Sequence, residues 1–328
     1  MRPLFFIHIP KTAGTSLRVA LERSLGAAAI CADYGDGNPQ TSKAVQDCMF
    51  NGIADPYQLA LQQPRSRVLT GHVPVTKYAP LFAVQDIFTL VREPTARVIS
   101  EYFHFQRHFD FQGSLSDFAK QKRKQNSLSR YLRRVPWQAL GYVGTSERYS
   151  HALDTLNQLY QLNLAAEVLN AKPATQNVEI SAQEITLLQE LNRSDLRLYE
   201  TITQALDWRH HCQQANLPYT HGAAAIAKNK QVLQGFAFYS ATHPSCNEPV
   251  ALTLLGMNSS QEVTVTQHVT ANLHHQKMTA HRAPRCGYVG FRVDISELLN
   301  NPQLTALELR VRHSQQLLWQ FQSGEHDR

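Results

Sequence analysis

Residues 5–18 read FFIHIPKTAGTSLR, in which a bulky apolar run is followed by the polar hexad Lys11–Ser16. The run Phe5–Ile9 is typical of a buried strand in the middle of a parallel sheet. Apolar residues then recur at helical spacing as far as Leu25, and Gly26 stands where a helix C-cap is expected. The hexad is therefore predicted to be a strand-to-helix loop, which directs backbone N–H groups and the positive end of a helix dipole at one point.

The loop is predicted to hold a phosphate or sulfate group, because Lys11 adds a full positive charge and Thr12, Thr15 and Ser16 add hydroxyl donors. It differs from the common nucleoside triphosphate loop, in which the lysine follows the last glycine, since Lys11 precedes Gly14. The alternative interpretation is a capped helix start with an incidental lysine. A second phosphate-binding element is therefore needed to support the first.

The composition fits a protein with an anionic ligand. The chain of 328 residues is long enough for one or two domains. Its formal net charge of +6 and pI near 9.1 are too moderate to indicate nucleic acid by themselves. Five cysteines without C-x-x-C spacing indicate neither a disulfide framework nor a zinc site, and favour a reducing compartment. No apolar run reaches the ~20 residues of a membrane span, and the early first strand leaves no room for a signal peptide, so we expect a cytoplasmic protein.

The pattern of the sequence changes near residue 225. Before it, short apolar strands such as Arg67–Thr70 and Asp86–Val91 alternate with helical patterns such as Glu147–Leu164, which is typical of an α/β domain with a parallel sheet. From Val232 onward, short alternating runs separated by turns predict a small β-sandwich: GFAFY, VALTLLG, EVTVTQHV, YVGFRVDI and ALELRVRH. We therefore expect an α/β domain in residues 1–225 and a β-sandwich accessory domain in residues 226–328. The segment HGAAAIAKNK, residues 221–230, is interpreted as the linker.

A second candidate anion element lies in residues 86–103, DIFTLVREPTARVISEYF. Arg92 follows a predicted buried strand, and Ser100 lies two turns into the helix that starts after it. In α/β sheets ligands bind beyond the carboxyl ends of the strands, where both this segment and the first loop emerge. Arg92 can grip a phosphate with two parallel hydrogen bonds, and Ser100 can donate another. The alternative is that Arg92 pairs with Glu93 or Glu101.

Together, the two segments resemble the sulfotransferases that use 3′-phosphoadenosine 5′-phosphosulfate (PAPS), especially the carbohydrate branch that includes heparan sulfate 2-O-sulfotransferase. Ile9–Ser16 is similar to the family's first loop, and Val91–Tyr102 is similar to its pattern V-R-[DE]-P-x-x-R-x-x-S-x-Y. Residues 143–148 are similar to a G-x-T-E segment with one extra residue, and residues 195–200 to the last helix. The resemblance covers residues 3–205. It implies a P-loop-like parallel sheet flanked by helices, and PAPS as a sulfate donor used without a metal.

The resemblance also implies roles for individual residues. The first loop would bind the 5′-phosphosulfate, and Lys11 would stabilise the charge on the leaving phosphate. The second element would bind the 3′-phosphate. The implied donor-binding residues are Lys11, Thr12, Ala13, Gly14, Thr15, Ser16, Arg92 and Ser100.

His72 is the candidate general base, which a sulfuryl transfer needs in order to remove the acceptor proton near neutral pH. It follows a third predicted strand in VLTGHVPVTKY. The 2-O-sulfotransferases show a pattern like H-G-H-V here, of which residues 70–73, TGHV, keep the second histidine. The alternative is a buried polar residue at a strand end. We expect His8 to pack or orient, whereas His104 and His108 either line the acceptor cleft or face solvent.

The acceptor is expected to be a carbohydrate or another hydroxylated compound, which can be anionic. Residues 120–134 carry seven lysines or arginines and no acidic residue, so they form either a solvated helix face or a basic rim for an acidic glycan. Sparse aromatic residues in this run argue against nucleic acid. The β-rich tail looks like modules of bacterial glycan-modifying enzymes, which favours a carbohydrate acceptor and a bacterial source.

Two other functions stay open. A nucleotide or glycan kinase would use the same anion sites, although no recognisable Mg²⁺-binding motif accompanies them. A non-catalytic nucleotide- or sugar-binding protein would use them for recognition alone. The sequence leaves the oligomeric state open.

Overall fold

The computed structural model describes residues 2–55, 67–166, 180–227 and 231–322. Within these ranges the chain divides into two compact units. The first takes residues up to 82, 86–137 and 141–206; the second takes residues 83–85, 138–140 and those from 207 onward.

A five-stranded parallel sheet is the centre of the first unit. Its strands are β1 (Leu4–Ile7), β2 (Ile30–Asp33), β3 (Val68–Gly71), β4 (Ile87–Val91) and β5 (Tyr142–Thr145). They lie in the order β2-β3-β1-β4-β5, and every pair is parallel. The middle position of β1 explains its composition, because a strand with neighbours on both sides and helices over its faces is buried throughout. The parallel sheet expected from the sequence is confirmed.

Helices connect these strands. They are α1 (Gly14–Leu25), α2 (Lys43–Val45, continued by a π-turn), α3 (Pro94–Phe109), α4 (Leu115–Lys120), α5 (Ser127–Leu132), α6 (Tyr149–Tyr160), α7 (Ala182–Leu191) and α8 (Arg193–Gln214). The expected helix start after the first loop is confirmed, and Gly26 ends α1 with φ 87° and an N–H bond to Glu22. Proline begins α3, and the Glu93 side chain accepts from the N–H groups of Thr95 and Ala96.

The inner face of α3 carries a buried ion network. Arg97, 1% exposed, donates to Glu101 at 2.7 Å and to the carbonyl of Lys124 at 2.9 Å. Lys124 in turn donates to Glu101 at 2.8 Å, and its ammonium lies 3.5 Å from the centroid of Phe105. Burial raises the pKa of Glu101, but the charges of Arg97 and Lys124 outweigh it and hold that pKa below its usual value. The network fixes α3 to the segment that carries Lys124.

The second unit contains two antiparallel sheets with one hydrophobic core between their residues. The strands are β6 (Thr220–Ile226), β7 (Val232–Tyr239), β8 (Val250–Met257), β9 (Val263–Ala271), β10 (Gly290–Asp294), β11 (Ala306–Val311) and β12 (Leu317–Gln322), with short helices α9 (Gln276–Ala280) and α10 (Ser296–Leu299). One sheet has the order β10-β7-β6 and the other β12-β11-β8-β9. The five tail strands expected from their alternating runs are all present.

The linker interpretation of residues 221–230 is wrong for the part that is described. Strand β6 pairs antiparallel with β7 from Thr220↔Tyr239 to Ile226↔Leu233. Its small residues carry little strand propensity, so the pairing depends on backbone bonds to β7 that no local pattern reveals. The second unit therefore begins before the boundary that was expected near residue 225; residues 228–230 lie outside the described ranges.

Among the described residues, no helix combines the length and apolar character that a bilayer span requires. All five cysteines are free thiols, and Cys31, Cys48 and Cys212 are buried.

We predict that Asp195→Ala lowers the free energy of unfolding of the first unit by about 2–3 kcal/mol, because a buried carboxylate that accepts several hydrogen bonds is lost. Asp195 is fully buried and accepts from the N–H groups of Leu128 and Ser129 at 2.7 and 2.8 Å and from the Ser129 hydroxyl at 2.6 Å. Urea unfolding followed by circular dichroism measures the change. The exposed Asp154→Ala on α6 is the matched control, and an equal effect in both variants would contradict the assignment.

Candidate active site

The candidate site lies at the carboxyl edge of the parallel sheet. Five strand ends meet there, because parallel strands point the same way. The residues that follow them directly, strand by strand in chain order, are His8, Tyr34, His72, Arg92 and Ser146. The sequence-predicted Lys11 loop, Arg92 and His72 thus belong to one edge.

The loop after β1 adopts a strained backbone. Lys11 and Ala13 have φ values of 67° and 66°, in the left-handed region that side-chain-bearing residues rarely occupy. Helix α1 starts at Gly14 without a side-chain cap. Within the described ranges, the N–H groups of Gly14, Thr15 and Ser16 have no hydrogen-bond acceptor, and the first bond of the helix runs from Leu17 to Ala13. Three open N–H groups at a helix N-terminus suit an anion.

The three hydroxyls of the loop are not equivalent. Thr12 is 1% exposed, and its hydroxyl donates to the carbonyl of Ile9 at 2.9 Å. The Thr12 hydroxyl proton is therefore used within the loop and cannot bond to a ligand at the same time. The expectation that all three hydroxyls act as donors to the ligand is not met at Thr12. Ser16 is buried at the helix start and Thr15 is exposed.

Arg92 has no carboxylate partner among the residues that the structure describes, so its expected alternative role is wrong. Glu93 is used in capping α3, and Glu101 is held by Arg97 and Lys124. The Arg92 Nη1 instead lies 3.5 Å from the carbonyl oxygen of Lys11. The guanidinium consequently stands beside the first loop with its charge uncompensated.

The outer face of α3 places the Arg107 guanidinium near Lys11. Ser100, His104, Arg107 and His108 follow each other at helical spacing and so share one face. The rings of His104 and His108 are 4.6 Å apart. Burial, then the charge of Lys11, lowers the pKa of His104 to about 4. Burial and the nearby guanidinium groups of Arg107 and Arg92 likewise lower the pKa of Lys11.

His72 is held in one tautomer. Its Nδ1 lies 2.7 Å from the carbonyl oxygen of His8, which can only accept, so Nδ1 carries the proton and Nε2 keeps a lone pair. The residue is exposed, yet loss of water around the ring lowers the pKa of His72 below its usual value. The hydrogen bond to His8 opposes this shift, and the charges of Arg18 and Lys11 reinforce it. The interpretation of His72 as a residue buried at a strand end is wrong.

Two residues beside His72 complete the cluster. The His8 ring lies 4.4 Å from the His72 ring, and the Tyr34 ring lies 4.9 Å from it. The Tyr34 hydroxyl is 3.0 Å from His8 Nδ1, and the Arg18 guanidinium lies 5.7 Å from the Tyr34 centroid. Sequence reasoning missed Tyr34 and Arg18. The position of Tyr34 directly after a strand was the available signal, but β2 is only four residues long and was not identified.

The basic run 120–134 is divided between two roles. Lys124 is part of the buried network, and Arg130 donates to the Arg123 carbonyl and the Ser127 hydroxyl. The exposed members are Lys120, Lys122, Arg123, Arg133 and Arg134. The Tyr131 hydroxyl, on α5 within the run, lies 3.5 Å from the carbonyl of His72. Part of the run therefore borders the candidate base.

Residues 143–148 and 195–200 interact through Glu147 and Tyr199, next to the start of α3. Glu147 accepts from the Glu93 N–H at 3.0 Å, which joins the end of β5 to the start of α3. Burial, then the charge and hydrogen bond of Glu147, raises the pKa of Tyr199 on α8 to about 12.

No family model matches the chain, and no curated protein matches it. Among solved structures, the chain is similar to the crystal structure of a sulfotransferase from Alicyclobacillus acidocaldarius. The identity is 17%, the match covers 62% of this chain and 96% of that one, and the TM-score is 0.32.

We predict that Gly14→Ala lowers the free energy of unfolding by about 1–3 kcal/mol, the usual cost of overpacking. A Cβ at Gly14 would lie 2.0 Å from His8 Cδ2 and 2.3 Å from His8 Nε2. The His8 ring cannot easily retreat, because it stacks on Phe6 and contacts Tyr34. Ala13→Gly is the control, since it relieves a positive φ and should be tolerated. Equal thermal unfolding of Gly14→Ala and the wild type would contradict this packing.

Proposed function

We propose that the chain is a sulfotransferase that moves a sulfuryl group from PAPS to a hydroxyl group of a carbohydrate acceptor. In this proposal His72 is the general base and Lys11 stabilises the leaving phosphate. The observation that carries the proposal is the meeting, at one sheet edge, of an anion-binding loop and a histidine with a free Nε2 lone pair.

The residues at the edge fit a donor with two separate anionic groups. The open N–H groups at the start of α1 and the Lys11 ammonium would hold one group. Arg92, which has no carboxylate partner in the described ranges, and Ser100 would hold the other. When bound, the donor supplies a sulfuryl group attached to a phosphate leaving group.

The chain's own groups account for the charge and proton movements that the reaction requires. Lys11 places positive charge where negative charge develops, and its partly buried surroundings strengthen that interaction. His72 Nε2 accepts the proton of the acceptor hydroxyl, and the resulting imidazolium keeps its Nδ1–H bond to the His8 carbonyl. Because the pKa of His72 lies below its usual value, the ring is neutral and competent as a base at pH 7.

The remaining elements of the proposal concern the acceptor and the second unit. His104, His108 and the exposed part of the basic run are proposed to line the acceptor cleft, which suits an acceptor with acidic groups. The second unit is proposed to contain a β-sandwich accessory module, in a bacterial, cytoplasmic protein. Its shared core of two antiparallel sheets supports this description.

We predict that the protein binds PAPS and its desulfated product, adenosine 3′,5′-bisphosphate, with micromolar affinity, about −8 kcal/mol. Arg92→Ala should weaken binding by about 1.5–3 kcal/mol, because a charge-assisted contact to a phosphate is lost. Isothermal titration calorimetry measures both. Arg23→Ala is the control, since it removes the same charge near the far end of α1. ATP binding as tightly as the bisphosphate would favour the kinase alternative, and an unchanged affinity of Arg92→Ala would contradict the donor site.

We predict that His72→Ala keeps its donor affinity and loses on the order of 10²–10⁴ in turnover, the range for losing a general base. Turnover is measured as transfer of labelled sulfate to acidic and neutral polysaccharides, lipid-linked sugars and small alcohols. His72→Asn should lose as much, although its amide N–H can replace Nδ1–H toward His8. This pair separates the base from its structural hydrogen bond.

The wild-type rate should fall as the pH decreases through the pKa of His72, below about 6.5, because protonation occupies Nε2. A limb near pH 4 that disappears in His104→Ala would instead identify His104 as the base. Donor binding without transfer to any acceptor would favour the non-catalytic alternative.

A further inference from the structure

His8 is a buried polar residue whose ring the mechanism above does not use. It follows β1, is 4% exposed, and stacks on Phe6 with ring centroids 5.6 Å apart. Its Cδ2–Nε2 edge occupies the place where residue 14 would carry a side chain, at the first residue of α1. Within the described ranges His8 Nε2 has no hydrogen-bond partner. A nearly buried nitrogen thus points at the loop where three N–H groups are also open.

Tyr34 determines which nitrogen of His8 carries the proton. Burial raises the pKa of Tyr34, so the phenol keeps its proton, and the charge of Arg18 partly opposes that shift. Among the residues that the structure describes, His8 Nδ1, at 3.0 Å, is the acceptor within reach of this proton. Arg18 donates a hydrogen bond to the phenol oxygen, which leaves the phenolic proton to bond to His8. Nδ1 then accepts, and the proton of the neutral His8 ring lies on Nε2.

We propose that His8 is a further anion-binding residue of the loop, whose Nε2–H donates to the sulfate or phosphate oxygens bound at the N-terminus of α1. Tyr34 is the positioning residue that fixes this tautomer. The assignment deepens the proposed function, on which its ligand rests. The two adjacent histidines then have opposite tautomers: His8 offers a donor at Nε2, and His72 offers a lone pair at Nε2.

The opposite tautomers give the two rings distinct tasks at the same edge. The Nε2–H group of neutral His8 donates a hydrogen bond to an anion without adding charge. Burial lowers the pKa of His8 well below its usual value and so keeps the ring neutral. The charges of Arg18 and Lys11, and that of His72 when it is protonated, act in the same direction. A neutral donor can therefore contact the anion beside Lys11 without adding to the repulsion within the cluster.

The tautomers are tested by ¹⁵N–¹H correlation spectra of the full-length protein at neutral pH, with His8 and His72 assigned through His8→Gln and His72→Asn. The expected result is an Nε2–H proton on His8 and an Nδ1–H proton on His72. Tyr34→Phe should release His8 into a mixture of tautomers and leave His72 unchanged. An Nδ1–H proton on His8 in the wild type would overturn the assignment.

The anion contact is tested with adenosine 3′,5′-bisphosphate and, separately, inorganic sulfate. His8→Leu should weaken bisphosphate binding by about ten- to a hundredfold, the range for a hydrogen bond to a charged group. His8→Gln should bind within about threefold of the wild type, because its amide N–H₂ reaches the position of Nε2. Either ligand should shift the His8 Nε2–H signal. Thermal unfolding of both variants shows whether a difference in stability accompanies the difference in affinity.

Three outcomes separate this assignment from the proposed function. If His8→Leu binds like the wild type while Arg92→Ala binds weakly, His8 is not an anion ligand and the sulfotransferase proposal stands. If the wild type does not bind the bisphosphate but sulfate shifts the His8 Nε2–H signal, the anion contact stands and the proposed donor is wrong. If neither ligand shifts that signal, the role of His8 is wrong.

Discussion

The hydrogen bond from His72 Nδ1 to the carbonyl of His8, 2.7 Å long, joins the ends of two neighbouring strands, and the role proposed for His72 depends on it. This hydrogen bond forms because of the register in which β1 and β3 pair. Ile7 of β1 pairs with Gly71 of β3, so the residues that follow are brought side by side as the ladder ends. A shift of one residue would send His72 to the other face of the sheet and remove both its partner and its tautomer. On its other side β3 lies equally close to β2, and Gly71 permits this, because a Cβ there would lie 1.9 Å from the Asp33 carbonyl oxygen.

The distribution of charge around α3 depends on which groups its acidic residues pair with. Glu101 pairs with Arg97 and Lys124 on the inner side of the helix, and the Glu93 side chain caps the helix N-terminus. These two carboxylates are therefore engaged with other partners, and burial, followed by the guanidinium groups of Arg107 and Arg92, lowers the pKa of Lys11. The positive charges of such a cluster repel one another and would be relieved by an anion, which is the ligand that we propose for the loop.

Local patterns in the sequence predicted the parts of the site that depend on local structure. The β1 strand, the loop, α1, β4 and Arg92 were found because each is a short run with a clear period and boundary. Tyr34 was missed because β2 has only four residues, one of them the buried Asp33, and its sequence shows no alternation of apolar and polar residues. Lys124 was assigned to a charged surface because its burial depends on Glu101, 23 residues away. Strand β6 was interpreted as a linker for the same reason, since its stability comes from β7 and not from its own alanines. Pairing between distant segments determined each of these outcomes, and a single sequence does not display it.

Gly14 is the point at which the loop comes closest to the ring of His8. The positive φ angles in the loop belong to Lys11 and Ala13, so Gly14 is not required for an unusual backbone conformation there. It is required because the His8 ring occupies its side-chain position. The ring of His8 thus contacts the loop while its carbonyl accepts the hydrogen bond from His72 Nδ1. A bulkier residue at position 14 would therefore displace the same residue that holds the His72 ring in its tautomer.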